Sequence, residues 1–188
     1  MAYQRPHKAE FVINPTLEEY TAASLLVERQ AGALRALPWV VVLSAGLLFL
    51  GLSSFGWFKT TYTSIIMPLM ICLLCPFFLI VFFVILPGIL KKRAGGYYKT
   101  YDALMNPATL RLYADNAITE AQSITLTDPY ALMSGCIETP ELVVLIKDRE
   151  RMLIIPKRCL PPECAQEVVS FLRTVFSRRR RVRKNWVF

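Results

Sequence analysis

The residues of this chain with types and spacings that could do chemistry fall into four groups. Cys72-x-x-Cys75 has the letter spacing of a dithiol redox motif, but it follows no strand–helix–strand pattern and sits in an apolar run, so small polarizable packing residues are expected there. His7 is the only histidine; it lies in a polar leader without neighbours at ligand spacing, and no metal site is expected. Asp115, Glu120, Asp128, Glu138 and Glu141 are carboxylates of the kind used in acid–base work, yet their spacing singles out no pair. The fourth group is cationic: Lys157 and Arg158, then the run Arg178, Arg179, Arg180, Arg181, Arg183 and Lys184 closed by Trp186 and Phe188. Cations so grouped can meet lipid phosphates, nucleic acid or a partner carboxylate. With no nucleophile–base–acid set and no glycine-rich phosphate loop, no catalytic residue, no cofactor and no enzyme activity is expected.

The elements that must position these groups are dominated by two apolar stretches, 39–58 and 65–90, which hold no acidic or basic side chain and are separated by the six-residue link KTTYTS. Each is long enough, at ~1.5 Å rise per residue, to cross a hydrocarbon core of about 30 Å, and in lipid the backbone must bond within its own segment. A transmembrane helical hairpin over 39–90 is therefore expected. Arg29 and Arg35 precede it and Lys91, Lys92 and Arg93 follow it, whereas the link offers only Lys59. Basic flanks stay in the cytoplasm, so both termini are expected there. Pro76, inside the second stretch, is expected to kink it.

The remaining segments are an N-terminal arm, 1–38, a linker, 91–106, a cytoplasmic domain, 107–177, and a basic tail, 178–188. In the arm, Phe11-Val12-Ile13 reads as a strand that needs an edge to pair with, and Thr16 with Glu19 reads as a capping box that opens a helix. Leu17, Tyr20, Ser24 and Val27 share that helix's apolar face. The domain starts as alternating strands through TLRLYA, Ala117 to Gln122 and Ser123 to Thr127, broken at Asp128-Pro129. MSGCIE, ELVVLIK and MLIIP then form a three-strand meander, and a helix opened by Pro161-Pro162-Glu163 carries Val168, Phe171, Leu172, Val175 and Phe176 on one face. The expected fold class is an α+β membrane protein: a two-helix hairpin and a pleckstrin-homology-like antiparallel sheet closed by a C-terminal helix.

TLEEY at Thr16 to Tyr20, CIET at Cys136 to Thr139 and MLIIPKRCL at Met152 to Leu160 make the chain resemble the YcxB-like family of bacterial two-span membrane proteins. The resemblance implies an N-terminal strand and helix, two membrane spans and a small C-terminal domain, with no active residue to carry over. IIPKR also explains itself as structure: Pro156 ends a strand where no further ladder donor is needed, and Lys157 and Arg158 mark the exit. Its alternative role is partner binding.

Of the net charge of +8, the last sixteen residues supply seven positive charges and no negative one. A basic segment beside a membrane gains roughly 1 kcal/mol per Lys or Arg at an anionic leaflet, so Arg178 to Arg181, Arg183, Lys184 and Trp186 are candidate lipid contacts. Nucleic acid ranks below lipid, because the anchor makes lipid the nearer partner. The expectation is a non-catalytic, membrane-anchored binding or regulatory module of the bacterial cytoplasmic (inner) membrane, offering its domain to anionic lipid or to a protein, including a second copy of the chain. The alternative is an immunity protein whose partner is a bacterial toxin. An oligomeric channel or transporter accessory subunit ranks below both, since the stretches carry only serines as polar groups at depth.

Overall fold

The computed structural model describes residues 7–55, 61–147 and 151–182. The far end of the first apolar stretch, Lys59 and Thr60 of the polar link, the DRER turn except Arg151, and Arg183, Lys184, Trp186 and Phe188 lie outside them. The chain is α+β and divides into two compact units, one of residues 1–27 with 93–188 and one of residues 28–92.

The second unit is helical. After a 3-10 turn (Ala33–Ala36), α2 (Leu37–Ser53) and α3 (Thr61–Ile80) carry the apolar stretches, and a π-helical turn (Val81–Ile85) leads into α4 (Leu86–Thr100). α3 continues as α-helix through Pro68 and Pro76, and the departure from α geometry comes ahead of Pro87 instead. There the Leu86 N–H reaches back to the Val81 carbonyl. Pro87 has no N–H to donate and its ring crowds the preceding turn, which a widened turn relieves. The two helices approach closely at Gly51, where an added Cβ would stand 2.5 Å from Cys72 Sγ and 3.3 Å from the Pro68 carbonyl oxygen. Most of the apolar surface is bare. Trp39 and Phe49 are 70% and 75% exposed.

The first unit holds β1 (Ala9–Ile13), most of α1 (Leu17–Ala31), most of α4, the short α5 (Asp102–Met105), strands β2 (Ala108–Leu112), β3 (Asn116–Glu120), β4 (Thr125–Pro129), β5 (Gly135–Glu138), β6 (Leu142–Ile146) and β7 (Met152–Pro156), then α6 (Ala165–Val175) and β8 (Arg180–Val182). One antiparallel sheet runs β1-β2-β3-β4, and the second runs β7-β6-β5-β8. The arm's strand does find an edge: Phe11 stands opposite Leu110 and Ala9 opposite Leu112. β1 to β3 bury alternate residues, as strands with one wet face do. β4 runs on through Asp128 to Pro129, because a proline costs no ladder bond on the outer edge of a sheet.

Every residue of β5 and β6 is buried, and the reason is a core on each face of the second sheet. Cys136, Val143, Leu145 and Ile155 pack with the first sheet, with Val168 and Leu172 of α6 and with Phe176 directly after it. Ile137, Leu142, Val144, Ile146 and Ile154 pack with Tyr20, Ala23, Leu26 and Val27 of α1 and Ala94 of α4. Leu17 is left out of that face, 41% exposed. α6 starts at Ala165, after a turn closed by Cys164 N–H to the Pro161 carbonyl, rather than at the proline pair. The expected linker is helical through Lys91, Lys92 and Arg93 to Thr100, continuous with the apolar stretch. The basic tail expected from residue 178 is in part a strand, with β8 lying parallel to β5.

Candidate functional site

Glu138 is the last residue of β5 and its side chain is 7% exposed. Strand alternation turns it to the same face as Cys136, toward α6. A carboxylate buried there without partners would cost several kcal/mol. Three cations from three other elements meet it. Lys157, directly after β7, brings Nζ to 3.3 Å from Oε1. Arg173, in the last turn of α6, donates from Nη2 to Oε1 at 2.7 Å and from Nε to Oε2 at 3.2 Å. Arg180, on β8, donates from Nε at 3.0 Å and brings Nη2 to 2.8 Å of Oε2. The Arg173 hydrogen bonds, opposed by burial and helped by Lys157 and the charge of Arg180, hold the Glu138 carboxyl at about 2, well below the usual carboxylate range.

Local geometry follows from the strands. Thr139 N–H bonds the Leu142 carbonyl at 2.9 Å and Thr139 Oγ1 accepts from Leu142 N–H at 2.9 Å, which closes the β5–β6 turn. That turn sets Val143 opposite Glu138, and β6 in turn sets Pro156 opposite Leu142. Lys157 N–H then bonds the Glu141 carbonyl at 2.8 Å, so two adjacent hairpins carry Lys157 to Glu138. Cys136, buried two residues before, has its thiol pushed up to about 12 by burial and by the Glu138 charge, with Arg180 opposing. It is protonated at neutral pH and is no nucleophile.

Arg158 makes a second, separate cluster. Its Nε donates to Glu19 Oε1 at 2.8 Å and its Nη2 to Glu19 Oε2 at 2.9 Å and to the Asn14 carbonyl at 2.6 Å. Glu19 also closes the expected capping box, accepting from Thr16 N–H at 2.7 Å while its own N–H donates to Thr16 Oγ1 at 3.2 Å. Burial alone would raise the Glu19 carboxyl; the Arg158 hydrogen bond, the Thr16 N–H and the Arg158 charge together bring it down. The TLEEY, CIET and IIPKR segments are thus tied to one another, the first to the third by Glu19–Arg158 and the second to the third by Glu138–Lys157.

The basic residues read from the sequence are therefore divided among several settings. Lys157, Arg158 and Arg180 are engaged within the chain. Arg179 is exposed but donates from Nη1 to the Met133 carbonyl at 2.9 Å, and Arg178 is exposed. Arg181 pairs in the strand with Ile137; its side chain, like Arg183, Lys184 and Trp186, lies outside the described residues. His7 Nε2 stands 3.4 Å from Glu10 Oε2, and no group of three metal-ligating side chains occurs among the described residues. A cavity of about 240 Å³ opens between β1 and α6, with Lys8 Nζ 4.6 Å from the Phe171 ring centre. Spacing along the sequence does not join Glu138 to Arg173 or Arg180, although the meander register, read through two turns, places Glu138 near Lys157.

Compared with known proteins, residues 114–172 match the model of the YcxB-like protein family. That stretch is YcxB-like, as the sequence resemblance implies, and it contains the CIET and IIPKR segments, Glu138 and Lys157. No curated protein and no solved structure matches the chain.

Proposed function

We propose that the chain is a non-catalytic binding or regulatory module anchored in the bacterial cytoplasmic membrane, with both termini in the cytoplasm and a pleckstrin-homology-like domain held for a protein or anionic-lipid partner. One observation carries the anchoring. Within the two apolar helical segments, Leu34–Ser53 and Ile65–Thr100, the most apolar 18 residues reach mean hydropathies of 2.0 and 3.2, yet only 22% and 6% of those residues are buried. Core helices of a soluble protein would be covered by protein, and a bare apolar surface of this extent needs hydrocarbon around it. Two four-stranded sheets with α6 packed on the core between them support the pleckstrin-homology-like reading. The cluster at Glu138, which is rich in donors and offers no nucleophile, supports binding over chemistry.

Extraction tests the anchor. Membranes from cells expressing the chain are washed with alkaline carbonate and then with detergent. The chain is expected to stay in the carbonate pellet and to enter detergent. A thiol-reactive probe that cannot cross the membrane is expected to label a cysteine placed at Lys59 from outside intact spheroplasts, but not one placed at Arg178. Release by carbonate, or the opposite labelling, would sink the reading.

A further inference from the structure

We propose that Lys157, Arg173 and Arg180, held around Glu138, form a binding site for a phosphate group. The inference rests on reading the α+β unit as a binding module, and it is independent of whether the apolar helices cross a membrane. Its starting point is charge. Three cations meet one carboxylate, which leaves two positive charges uncompensated within the cluster. A single bidentate arginine satisfies a carboxylate, so the second and third cations add mutual repulsion unless another anion joins them.

The donors are available. Arg173 and Arg180 each use Nε and Nη2 on Glu138, and neither Nη1 makes a hydrogen bond to a described residue. Lys157 uses one of its three donors. The Arg173, Lys157 and Arg180 side chains are 50%, 27% and 23% exposed, so solvent reaches all three from outside while Glu138 holds them from within. Glu138 is a positioning residue that fixes two guanidinium forks and an ammonium on one spot, and fixed forks lose little entropy when a second oxyanion docks. A phosphate monoester matches the surplus charge, and its several oxygens match forks that a single carboxylate oxygen pair has not exhausted. Glu141, on the β5–β6 turn, is exposed, and its carbonyl rather than its carboxylate engages Lys157.

The test uses the full chain in neutral phosphatidylcholine nanodiscs at low salt. Inorganic phosphate is titrated and the thermal midpoint followed, since a ligand of the folded state raises it saturably. The wild-type chain is expected to show a saturable rise. Lys157→Gln with Arg173→Gln is expected to weaken it at least about tenfold, and Arg178→Gln, an exposed charge outside the cluster, to leave it unchanged. Because the double variant also strips Glu138 of partners, Arg173→Lys runs beside it: it keeps the charge and removes the fork, and a several-fold weaker response is expected. The source of the phosphate is read by replacing part of the phosphatidylcholine with phosphatidic acid. A midpoint already raised and insensitive to added phosphate assigns the site to a lipid headgroup; an unaltered titration assigns it to free phosphate. No saturable response to either probe, or an equal loss in Arg178→Gln, overturns the site. Retention in the carbonate pellet would stand in either case.

Discussion

Replacing Glu138 with glutamine keeps the shape and one acceptor oxygen but removes the charge that gathers Lys157, Arg173 and Arg180. The carboxyl sits at about 2 in the folded chain against an ordinary 4.5, and at 1.36 kcal/mol per pH unit this difference sets a ceiling of ~3 kcal/mol. The cations are a quarter to a half exposed, so solvent screening lowers the expected loss to about 1–2 kcal/mol. The sign is fixed by a folded value below the unfolded one. The stabilisation is fully present above about 4.5 and disappears as pH falls through about 2. Thermal unfolding of the detergent-solubilised chain at neutral pH should therefore show Glu138→Gln with a midpoint lower by about 2–8 °C. The gap should narrow in acid and close near the folded value, and it should shrink in high salt. Cys136 gives an independent readout in a chain whose other cysteines are replaced by serine: its buried thiol should label about 5–30 times faster in Glu138→Gln, in proportion to the opened population. Equal midpoints at neutral pH would refute the charge argument. A gap that persists undiminished at the acid end would assign the effect to hydrogen-bond shape rather than charge.

Arg158→Ala frees Glu19 and the Asn14 carbonyl, and about 1 kcal/mol of docking energy for the N-terminal arm should be lost; hydrogen exchange across Phe11 to Tyr20 should quicken while that of β6 stays slow. Gly51→Leu should force α2 from α3, because even a Cβ meets Cys72 Sγ at 2.5 Å, whereas Gly46→Leu enters open space; disulfide trapping between cysteines paired across the two helices should fail only in the first, and equal trapping would sink the contact. Arg180→Ser removes a Glu138 partner and should release β8 from β5, seen as faster exchange at Ile137 and Glu138, while Arg178→Ser takes away the same charge and should leave that exchange unchanged.

The parts of the fold that were legible are those in which local chemistry and tertiary packing agree. Leu110 and Leu112 alternate with half-buried neighbours because only one face of the first sheet is fully covered, and the Thr16/Glu19 box caps its helix because both partners lie within one turn. Illegible elements are those in which a distant partner overrides the local preference. Gly95 and Gly96 each cost about 1 kcal/mol in a helix interior, yet α4 runs through them because Ala94, Tyr97 and Tyr98 pack against the second sheet. A run of four arginines has poor strand propensity, yet Arg180 lies in β8 because a carboxylate 42 residues earlier pairs with it. The same reasoning separates the carboxylates that looked equivalent along the chain. Glu138 differs from Glu141 through the register of two hairpins, which carries Lys157 to one and only its own backbone to the other. A spacing count cannot see this, because the residues that meet at Glu138 are 19, 35 and 42 positions away from it. An exposed cation run and an internal ion cluster share one composition, and only the place of a single buried carboxylate decides which of these arginines remain available to an outside anion.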